Sequence, residues 1–428
     1  MTGGAGSSAR SKTEGKRPAT LIVARRLDGA RSGSNTYLKG YLQLCRDAGL
    51  STRIVFAPRR SFGNLAWARL DPGIAALADQ IDWAQTVRIG STRISLSPAV
   101  WLRMARRAAA EGWRRLSGQG GSPYPSLLGA ALPPWEAKDV IARVQRAGAE
   151  VITAEYSSLG PLLERLEART RVVFLHDLFA VRAENFAAQG LQPDHTVITL
   201  AEEAQRCRAA DLLIHASCIE RDRLRPLLPG ARHEWMPPAA QAVRPRAKPG
   251  TASHGLFLGS VHGGNTEALG FLRHHVWPQV RAELPEAKLW IAGPIAAAVS
   301  SREAQAEGLV LIGPVDDLAT LGGPQAVGLA PMKTGSGIPV KVVDYLSLAM
   351  PVAVTPGTLD AFGGALDGLV AVSDSDAGYA ATVCALLRND SEREKLSMAS
   401  ASAISQLRNP VLADILGGPA ADSFSQDG

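Results

Sequence analysis

The stretch LAPMKTGSGIPVKVVDYLSLAMPVAVTP, residues 329–356, decides the fold class of this chain. An apolar run ends in the Gly-rich turn Gly335-Ser336-Gly337, and helical spacing of apolar side chains predicts a helix over residues 340–348. A second short apolar run follows at residues 352–355. Strand, glycine turn, helix and strand in this order are typical of a parallel α/β sheet.

The same stretch could carry chemistry. Glycine lets a ligand approach the backbone, a helix N-terminus offers unpaired N–H groups, and Lys341 adds a positive charge in the first helical turn, with Asp344 one turn later. These features together can hold a diphosphate. The alternative is an ordinary connection between strand and helix with a solvated lysine.

The alternation of strands and helices extends in both directions from this stretch. In the second half of the chain, strands are predicted at 254–259, 288–292, 309–312 and 326–330. Helices are predicted at 265–284, before the stretch, and at 378–388 and 391–407, after it. Nearer the N-terminus, strands are predicted at 20–24, 51–56, 150–154, 171–175 and 211–216, and helices at 36–48, 137–147, 159–168 and 199–209. The chain therefore contains two successive αβ domains.

Shifts in composition set the expected boundaries. We expect a disordered tail at 1–18, a first Rossmann-like domain at 19–240, a Pro- and Ala-rich linker at 241–253, a second Rossmann-like domain at 254–410 and a C-terminal tail at 411–428. Ligands of such sheets bind at the carboxyl ends of the strands, so the default site is a cleft between the domains.

Composition excludes several classes of protein. The chain has 428 residues, 46% of them hydrophobic and 20% charged, which is an ordinary globular mixture. No apolar run is long enough to span a membrane, and the basic, polar start lacks the apolar core of a signal peptide. The four cysteines lie far apart without zinc or redox spacing, so we expect a cytoplasmic protein without structural metal.

The Gly-rich segment resembles the donor-binding motif of bacterial group 1 retaining glycosyltransferases, which read G-S-G-I-x-x-K-x-x-E-A-x-A-x-G-x-P-V-V-x-T. Residues 257–293 (FLGSVHGGNTEALGFLRHHVWPQVRAELPEAKLWIAG) and 313–321 (GPVDDLATL) are similar to the opening of that family's second domain and to a later Asp-containing turn. The resemblance implies an α/β chain with the GT-B fold, in which two Rossmann-like, doubly wound domains face a central cleft. It covers about 160 residues of the second half and is weak over the first half.

The resemblance also implies roles for individual residues. The family's Glu-x7-Glu pair falls on Ser336 and Asp344, so neither position is Glu. Asp344 could still accept hydrogen bonds from the nucleotide ribose. Ser336 lacks the negative charge with which the family's first Glu contacts the transferred sugar. A histidine at the end of a strand, here His176, often lies beside the donor sugar. The implied site has catalytic residues His176, Lys341 and Asp344; donor-binding residues Gly259, His262, Gly263, Gly264, Asn265, Gly335, Ser336, Gly337 and Ile338; and an acceptor-side loop with Gly33, Ser34 and Asn35.

Structural interpretations stand beside these roles. Asn265 could be only the N-cap of the next helix, His176 could be a core histidine, and residues 28–35 could be an ordinary loop. The turn at 262–265 is not a G-x-G-x-x-G fingerprint, which argues against a dinucleotide oxidoreductase.

Positive charge is concentrated in one part of the chain. Residues 88–116 contain seven arginines and one acid, and the predicted amphipathic helix at 98–116 also carries Trp101 and Trp113. Such a helix can lie on anionic lipid, which would suit an enzyme with a lipid-linked acceptor. The alternative is a solvated helix that packs through its apolar face; no nucleic-acid motif accompanies the arginines.

The resemblance thus implies an enzyme that moves a sugar from a nucleotide-diphosphate donor to the hydroxyl of a glycan or lipid-linked acceptor. We expect that it requires neither a metal nor a cofactor. We expect retention of anomeric configuration, a role in bacterial envelope or exopolysaccharide synthesis, and a cytoplasmic location with peripheral contact at the inner membrane face. Two alternatives remain: a catalytically degenerate nucleotide-binding partner protein, and a nucleotide-sugar epimerase on the same fold. Donor sugar, base, acceptor, linkage and oligomeric state are not specified by the sequence.

Overall fold

The chain folds into two compact units. The computed structural model describes residues 15–28, 33–117, 126–188, 190, 192–193, 195–240, 242–246, 252–261, 263–332, 337–373, 375, 377–404 and 407–418. The first unit comprises residues 1–215, 223–236 and 409–428, and the second comprises 216–222 and 237–408.

Sixteen strands are assigned within the described residues: β1 (Arg17–Val23), β2 (Leu50–Phe56), β3 (Trp67–Arg69), β4 (Gln80–Trp83), β5 (Thr86–Ile89), β6 (Thr92–Ser95), β7 (Val151–Glu155), β8 (Thr170–Leu175), β9 (Leu212–His215), β10 (Arg232–Trp235), β11 (His254–Leu258), β12 (Leu289–Ala292), β13 (Leu309–Gly313), β14 (Ala326–Ala330), β15 (Val352–Val354) and β16 (Ala371–Val372).

The α-helices of the same residues are α1 (Gly33–Asp47), α2 (Pro72–Leu77), α3 (Pro98–Leu116), α4 (Pro134–Ala147), α5 (Phe179–Ala188), α6 (Leu200–Cys207), α7 (Cys218–Leu224), α8 (Gly263–Phe271), α9 (Trp277–Glu283), α10 (Ser301–Glu307), α11 (Val340–Ser347), α12 (Pro356–Asp360), α13 (Tyr379–Arg388), α14 (Asp390–Ala403) and α15 (Pro410–Gly417). Short 3-10 helices and one π-helical turn complete them.

A parallel sheet forms the centre of the first unit. Its strand order is β10-β9-β8-β7-β1-β2-β4, so the chain builds outward on one side of β1 and then returns to build outward on the other. Apolar side chains fill the strands; the last five residues of β1 and all five of β7 are buried. The order reverses between β1 and β7, which is where ligands of doubly wound sheets bind.

The first unit also carries a small antiparallel sheet that the sequence did not predict. Its order is β3-β6-β5, and α3 follows it directly in the chain. Val100 of α3 is buried in a small core with Phe62 and Ala68, and Met104 packs against that core. In the second half of α3, Trp113 and Leu116 are exposed.

The second unit is built on a second parallel sheet. Its order is β13-β12-β11-β14-β15-β16, and the reversal lies between β11 and β14. The helix predicted over 265–284 is present as α8 and α9, but a π-helical turn (Leu272–Val276) separates them. Pro278 at the start of α9 has no N–H to donate, so a regular α-helical ladder cannot continue through this point.

The C-terminal segment differs from the expected tail. Helix α15 lies in the first unit and packs with α1, with Leu412 and Leu416 fully buried. Arg17, the first residue of β1, donates to the Gly418 carbonyl at 3.0 Å, and Arg169 donates to the Leu416 carbonyl at 2.9 Å. Two arginines therefore satisfy carbonyl groups at the end of this helix.

The expected linker and N-terminal tail lie partly outside the described residues. Of the expected linker 241–253, residues 242–246 lie along the second unit, where Val243 N–H donates to the Ser347 carbonyl at 2.7 Å. Of the expected tail 1–18, residues 1–14 are outside the described part, and β1 already begins at Arg17. In the ranges given above, no helix is long and apolar enough to cross a bilayer.

Gly328 in β14 gives a test of how the second sheet holds its helix. A Cβ at this position would lie 2.5 Å from two ring carbons of Tyr345 in α11. We expect Gly328→Ala to lower the free energy of unfolding by about 1–3 kcal/mol, because the buried ring must move. Thermal unfolding measures the effect, with Gly270→Ala as control, since a Cβ there meets nothing within 4 Å. Equal stability of the two variants would contradict this packing.

Candidate functional site

Two connections between a strand and a helix begin at the reversal point of the second sheet. One follows β11 and leads into α8; the other follows β14 and leads into α11. Both leave the carboxyl ends of neighbouring strands, since β11 and β14 pair in parallel. The described donor-binding residues predicted from the sequence lie between the ends of these strands and the first turns of α8 and α11.

Lys341 links the first turn of α11 to the first turn of α8. Its side chain is buried, and its ammonium donates to Asn265 Oδ1 at 2.7 Å and lies 4.0 Å from the centroid of the Phe257 ring. Burial lowers the pKa of Lys341 to about 7, and the nearby charge of Asp344 opposes this shift only in part. The solvated-lysine alternative is therefore wrong.

Asn265 holds the first loop in place from within the helix. The alternative interpretation, in which Asn265 is the N-cap of this helix, is wrong because α8 already begins at Gly263. The Asn265 amide instead donates to the Ser260 carbonyl at 2.9 Å. Gly259 packs against this amide, since a Cβ at Gly259 would lie 3.2 Å from Asn265 Cγ. The side chain thus links the end of β11 to Lys341.

Side chains also hold the backbone around the second loop. Tyr345 accepts a hydrogen bond from Leu258 N–H at 2.7 Å, which ties α11 to β11. The hydroxyls of Thr355 and Thr358 donate to carbonyls at the end of β14, with 3.0 Å from Thr355 Oγ1 to Met332 O and 3.1 Å from Thr358 Oγ1 to Ala330 O. The strand end that precedes the Gly-rich turn is therefore fixed.

The remaining predicted donor residues are placed in part. Gly263 and Gly264 lie in the first turn of α8. Ile338 lies just before α11 and Asp344 lies in α11, three residues after Lys341; both are half-buried. Gly337 has φ +74°, a left-handed conformation that favours glycine. His262, Gly335 and Ser336 lie outside the described residues.

A buried cluster of charged side chains lies at the reversal point of the first sheet. Arg25 follows β1, Glu155 ends β7 and His176 follows β8. Glu155 Oε1 accepts from Arg25 Nε at 3.0 Å, from Arg25 Nη2 at 2.9 Å and shares a 2.9 Å hydrogen bond with His176 Nε2. Three adjacent strands thus deliver a guanidinium, a carboxylate and an imidazole to one point.

Electrostatics fix the protonation of this cluster. Burial would raise the pKa of Glu155, but Arg25 and His176 hold it below its ordinary value. Burial lowers the pKa of His176, and the nearby carboxylate of Glu155 opposes that shift without reversing it. Near neutral pH we therefore expect an ionised Glu155 and a neutral His176, with the proton on Nε2 facing the carboxylate.

The predicted acceptor-side residues are connected to this cluster through Arg25. Gly33, Ser34 and Asn35 form the first turn of α1 rather than a loop. Arg25 Nη1 donates to Asn35 Oδ1 at 2.7 Å, and Arg25 Nη2 donates to the Ser34 carbonyl at 3.3 Å. Arg25 therefore connects the start of α1 to the Glu155–His176 pair.

Tyr156 adds a strained backbone to the same place. Its φ of +66° and ψ of 157° are adopted almost only by glycine, and such a conformation costs about 1–3 kcal/mol. The ring stacks on His176 with centroids 4.5 Å apart, and the backbone N–H donates to Phe174 O at 2.8 Å. Strain of this kind is concentrated at functional sites.

Sequence reasoning missed Arg25, Glu155 and Tyr156. All three line a small recess together with Arg60 and Ser158. The available signal was a charged residue directly after an apolar strand, in LIVAR and VITAE. Because 130 residues separate Arg25 from Glu155, only the topology of the sheet brings them together.

The match to a known family agrees with the second unit. Residues 252–389 match the family model described as "Glycosyl transferases group 1". The second unit contains a group 1 glycosyltransferase domain. The resemblance drawn from the Gly-rich segment is thereby confirmed, and Lys341, Asn265 and Gly337 all lie inside the matched group 1 domain. No curated protein sequence matches the chain.

Solved structures resemble the whole chain in fold. A sucrose-phosphate synthase from Thermosynechococcus elongatus has a TM-score of 0.58 at 13% identity, over 94% of this chain and 98% of that one. A structure described as "Trehalose-6-phosphate from E. coli bound with UDP-2-fluoro glucose" has a TM-score of 0.56 at 12% identity, over 94% and 99%. A glycosyltransferase from Rickettsia africae ESF-5 has a TM-score of 0.58 at 9% identity, over 96% and 100%. The predicted GT-B fold class is confirmed for a chain built of two Rossmann-like units and carrying the group 1 domain.

Proposed function

We propose that this glycosyltransferase moves a sugar from a nucleotide-diphosphate donor to the hydroxyl of a glycan or lipid-linked acceptor. The observation that carries the proposal is the buried Lys341–Asn265 hydrogen bond between the first turns of α11 and α8, at the reversal point of the group 1 domain. UDP-2-fluoro glucose, named with the E. coli structure, is a donor of this chemical class.

The proposed reaction needs charge stabilisation more than acid–base chemistry. The bond between the anomeric carbon and the diphosphate breaks, a bond to the acceptor oxygen forms, and the acceptor proton leaves with the nucleoside diphosphate. Negative charge develops on the leaving diphosphate, where Lys341 and the N–H groups around Gly263 would stabilise it. Asp344 would orient the ribose, and His176 would contact the sugar.

We further propose that the anomeric configuration is retained, that neither metal nor cofactor is required, and that the sugar is a hexose destined for envelope or exopolysaccharide. The first two statements have direct tests. Proton NMR of the product gives the configuration of the new bond, and activity should be unchanged by a chelator.

A donor panel tests the central proposal. Purified protein is incubated with a set of nucleotide sugars, with and without membrane extract, and release of nucleoside diphosphate is followed. Release that depends on the acceptor extract supports transfer. Turnover without acceptor would instead indicate an epimerase or hydrolase, and nucleotide binding without turnover would indicate a degenerate partner protein.

We propose that α3 brings the enzyme to an anionic membrane at the cytoplasmic face. Trp113 is 72% exposed and Leu116 is 88% exposed, so the helix does not pack through its full apolar face. Ile89 and Leu96, near α3 in the chain, are exposed as well, and the segment carries the seven arginines noted above. Exposed apolar side chains with arginines are suited to the surface of an anionic bilayer.

Vesicle binding tests this surface. The full chain should bind vesicles of phosphatidylglycerol and phosphatidylcholine, and the binding should weaken steeply with salt because ions screen the attraction between an anionic surface and exposed arginines such as Arg88 and Arg106. Trp113→Ser should reduce the partition coefficient about tenfold, since a fully buried aromatic side chain contributes about 1.5–3 kcal/mol. Val411→Ser, at an exposed apolar residue on α15, is the matched control. Binding that is insensitive to salt, or equal in both variants, would contradict the proposal.

A further inference from the structure

A short segment of chain enters the second unit from the first. Residues 216–222 belong to the second unit, although the residues on both sides of them belong to the first. Cys218 N–H donates to the Ala361 carbonyl at 3.0 Å, and Gly363 lies so close that a Cβ there would be 2.6 Å from Cys218 Sγ. The start of α7 is therefore packed into the second unit.

Glu220 of this segment reaches the Gly-rich turn. Its side chain is buried, and its Oε1 accepts a hydrogen bond from Gly337 N–H at 2.8 Å. Residues 331–343 contain no acid of their own, so the carboxylate at the turn comes from a part of the chain 117 residues away. Gly337 has the left-handed backbone described above, and this hydrogen bond fixes it.

The two described ends of the turn are thus both held by other elements. Thr355 and Thr358 hold the backbone before the turn, and Glu220 holds the backbone after it. Backbone that is already held at Met332 and Gly337 loses little freedom there when a ligand binds, so less of the interaction free energy is lost to ordering these two positions.

We infer that Glu220 is a positioning residue of the donor site, which acts through the Gly337 N–H group to hold the backbone directly before α11 in its left-handed conformation before the donor arrives. The inference rests on the proposed function for its kinetic consequence. Its structural part, the anchoring of Gly337, does not depend on that function.

The hydrogen-bonding role separates two substitutions. Glu220→Leu removes the acceptor while keeping a buried side chain of similar size, and we expect the KM for the donor to rise about tenfold with kcat changed less than about threefold. Glu220→Gln keeps an acceptor oxygen, so it should restore most of the lost donor affinity. Asp222→Asn, at an exposed acid of the same helix, is the control.

Hydrogen exchange at the Gly337 amide gives a readout that does not require activity. Exchange should become faster in Glu220→Leu and stay slow in Glu220→Gln, while thermal unfolding confirms that each variant is folded. Gly337→Ala provides a second route, because alanine disfavours the left-handed backbone, and it should raise the donor KM without altering Glu220.

The outcomes are distinct. An unchanged donor KM in Glu220→Leu would overturn the inference, as would a loss in Glu220→Gln as large as that in Glu220→Leu, which would mean that the charge itself acts. If the wild type turned over no donor at all, the proposed function would fail, and exchange at Gly337 would still decide whether Glu220 anchors the turn.

Discussion

Lys341→Met is expected to weaken binding of UDP or GDP by about tenfold to a hundredfold, because a charge-assisted hydrogen bond to phosphate contributes about 1.5–3 kcal/mol. Titration calorimetry on the full chain measures the loss. Lys395→Met, at an exposed lysine of α14, serves as the control. Unchanged nucleotide affinity in Lys341→Met would remove this residue from the donor site.

The pH dependence of binding gives the same prediction a second readout. With a pKa of about 7, the Lys341 amine is partly uncharged near neutrality, and a bound diphosphate favours the charged form. Nucleotide affinity of the wild type should therefore fall as the pH rises above about 7, and the variant should lack this part of the dependence. A wild-type affinity independent of pH would contradict the assignment.

The free energy of unfolding should change with pH in the opposite direction to the nucleotide affinity. Because burial lowers the folded-state pKa of Lys341 below its ordinary value, the unfolded chain binds the proton more tightly. The contribution of this amine to the free energy of unfolding is therefore unfavourable near neutral pH and becomes less so as the pH rises towards 10.5. Lys341→Met should lose donor binding without a loss of stability at neutral pH.

Arg25→Leu is expected to lower the free energy of unfolding by about 3–5 kcal/mol at neutral pH, because it leaves the buried Glu155 carboxylate without its guanidinium partner. Chemical denaturation followed by circular dichroism measures the change. Arg25→Leu combined with Glu155→Leu should recover much of it, since a buried ion pair can often be replaced by apolar side chains.

Lowering the pH should reduce the difference in the free energy of unfolding between the wild type and Arg25→Leu. In the wild type, the pKa of Glu155 is held below its ordinary value, so its ion pair stabilises the fold above that value and is lost as the pH falls. In Arg25→Leu, burial without the guanidinium raises the Glu155 pKa, so the variant loses stability as the pH rises through the ordinary range. The gap between the two proteins should grow from about pH 4 to about pH 7; a constant gap would contradict the pairing.

The donor-side residues could be found from the sequence because they are local. Glycine, lysine and apolar spacing within residues 329–356 specify a strand, a turn and a helix, and the chain forms them at β14, α11 and β15. What the local pattern could not show is that Lys341 is buried on Phe257 and Asn265, since those contacts depend on the pairing of β11 with β14.

Predictions failed where local signals were weak or conflicting. The helix expected over 159–168 is a 3-10 helix at Ser157–Arg165, and Pro161 inside it removes one backbone donor. Strands β3, β5 and β6 are three or four residues long with mixed polarity, which is too little for a periodic signal. The tail expected at 411–428 contains most of α15. Asn409 caps this helix, and its side chains Leu412 and Leu416 are buried.

The return of α15 to the first unit sets an order for folding during synthesis. Residues 409–418 emerge from the ribosome after the second unit has been made in full, yet they cover α1 and receive hydrogen bonds from Arg17 and Arg169. The first unit, although begun first, is therefore completed last. A nascent chain that stops before Pro410 would hold a finished second unit and an N-terminal unit in which the part of α1 that packs with α15 is uncovered, a species prone to aggregate and to be taken up by chaperones.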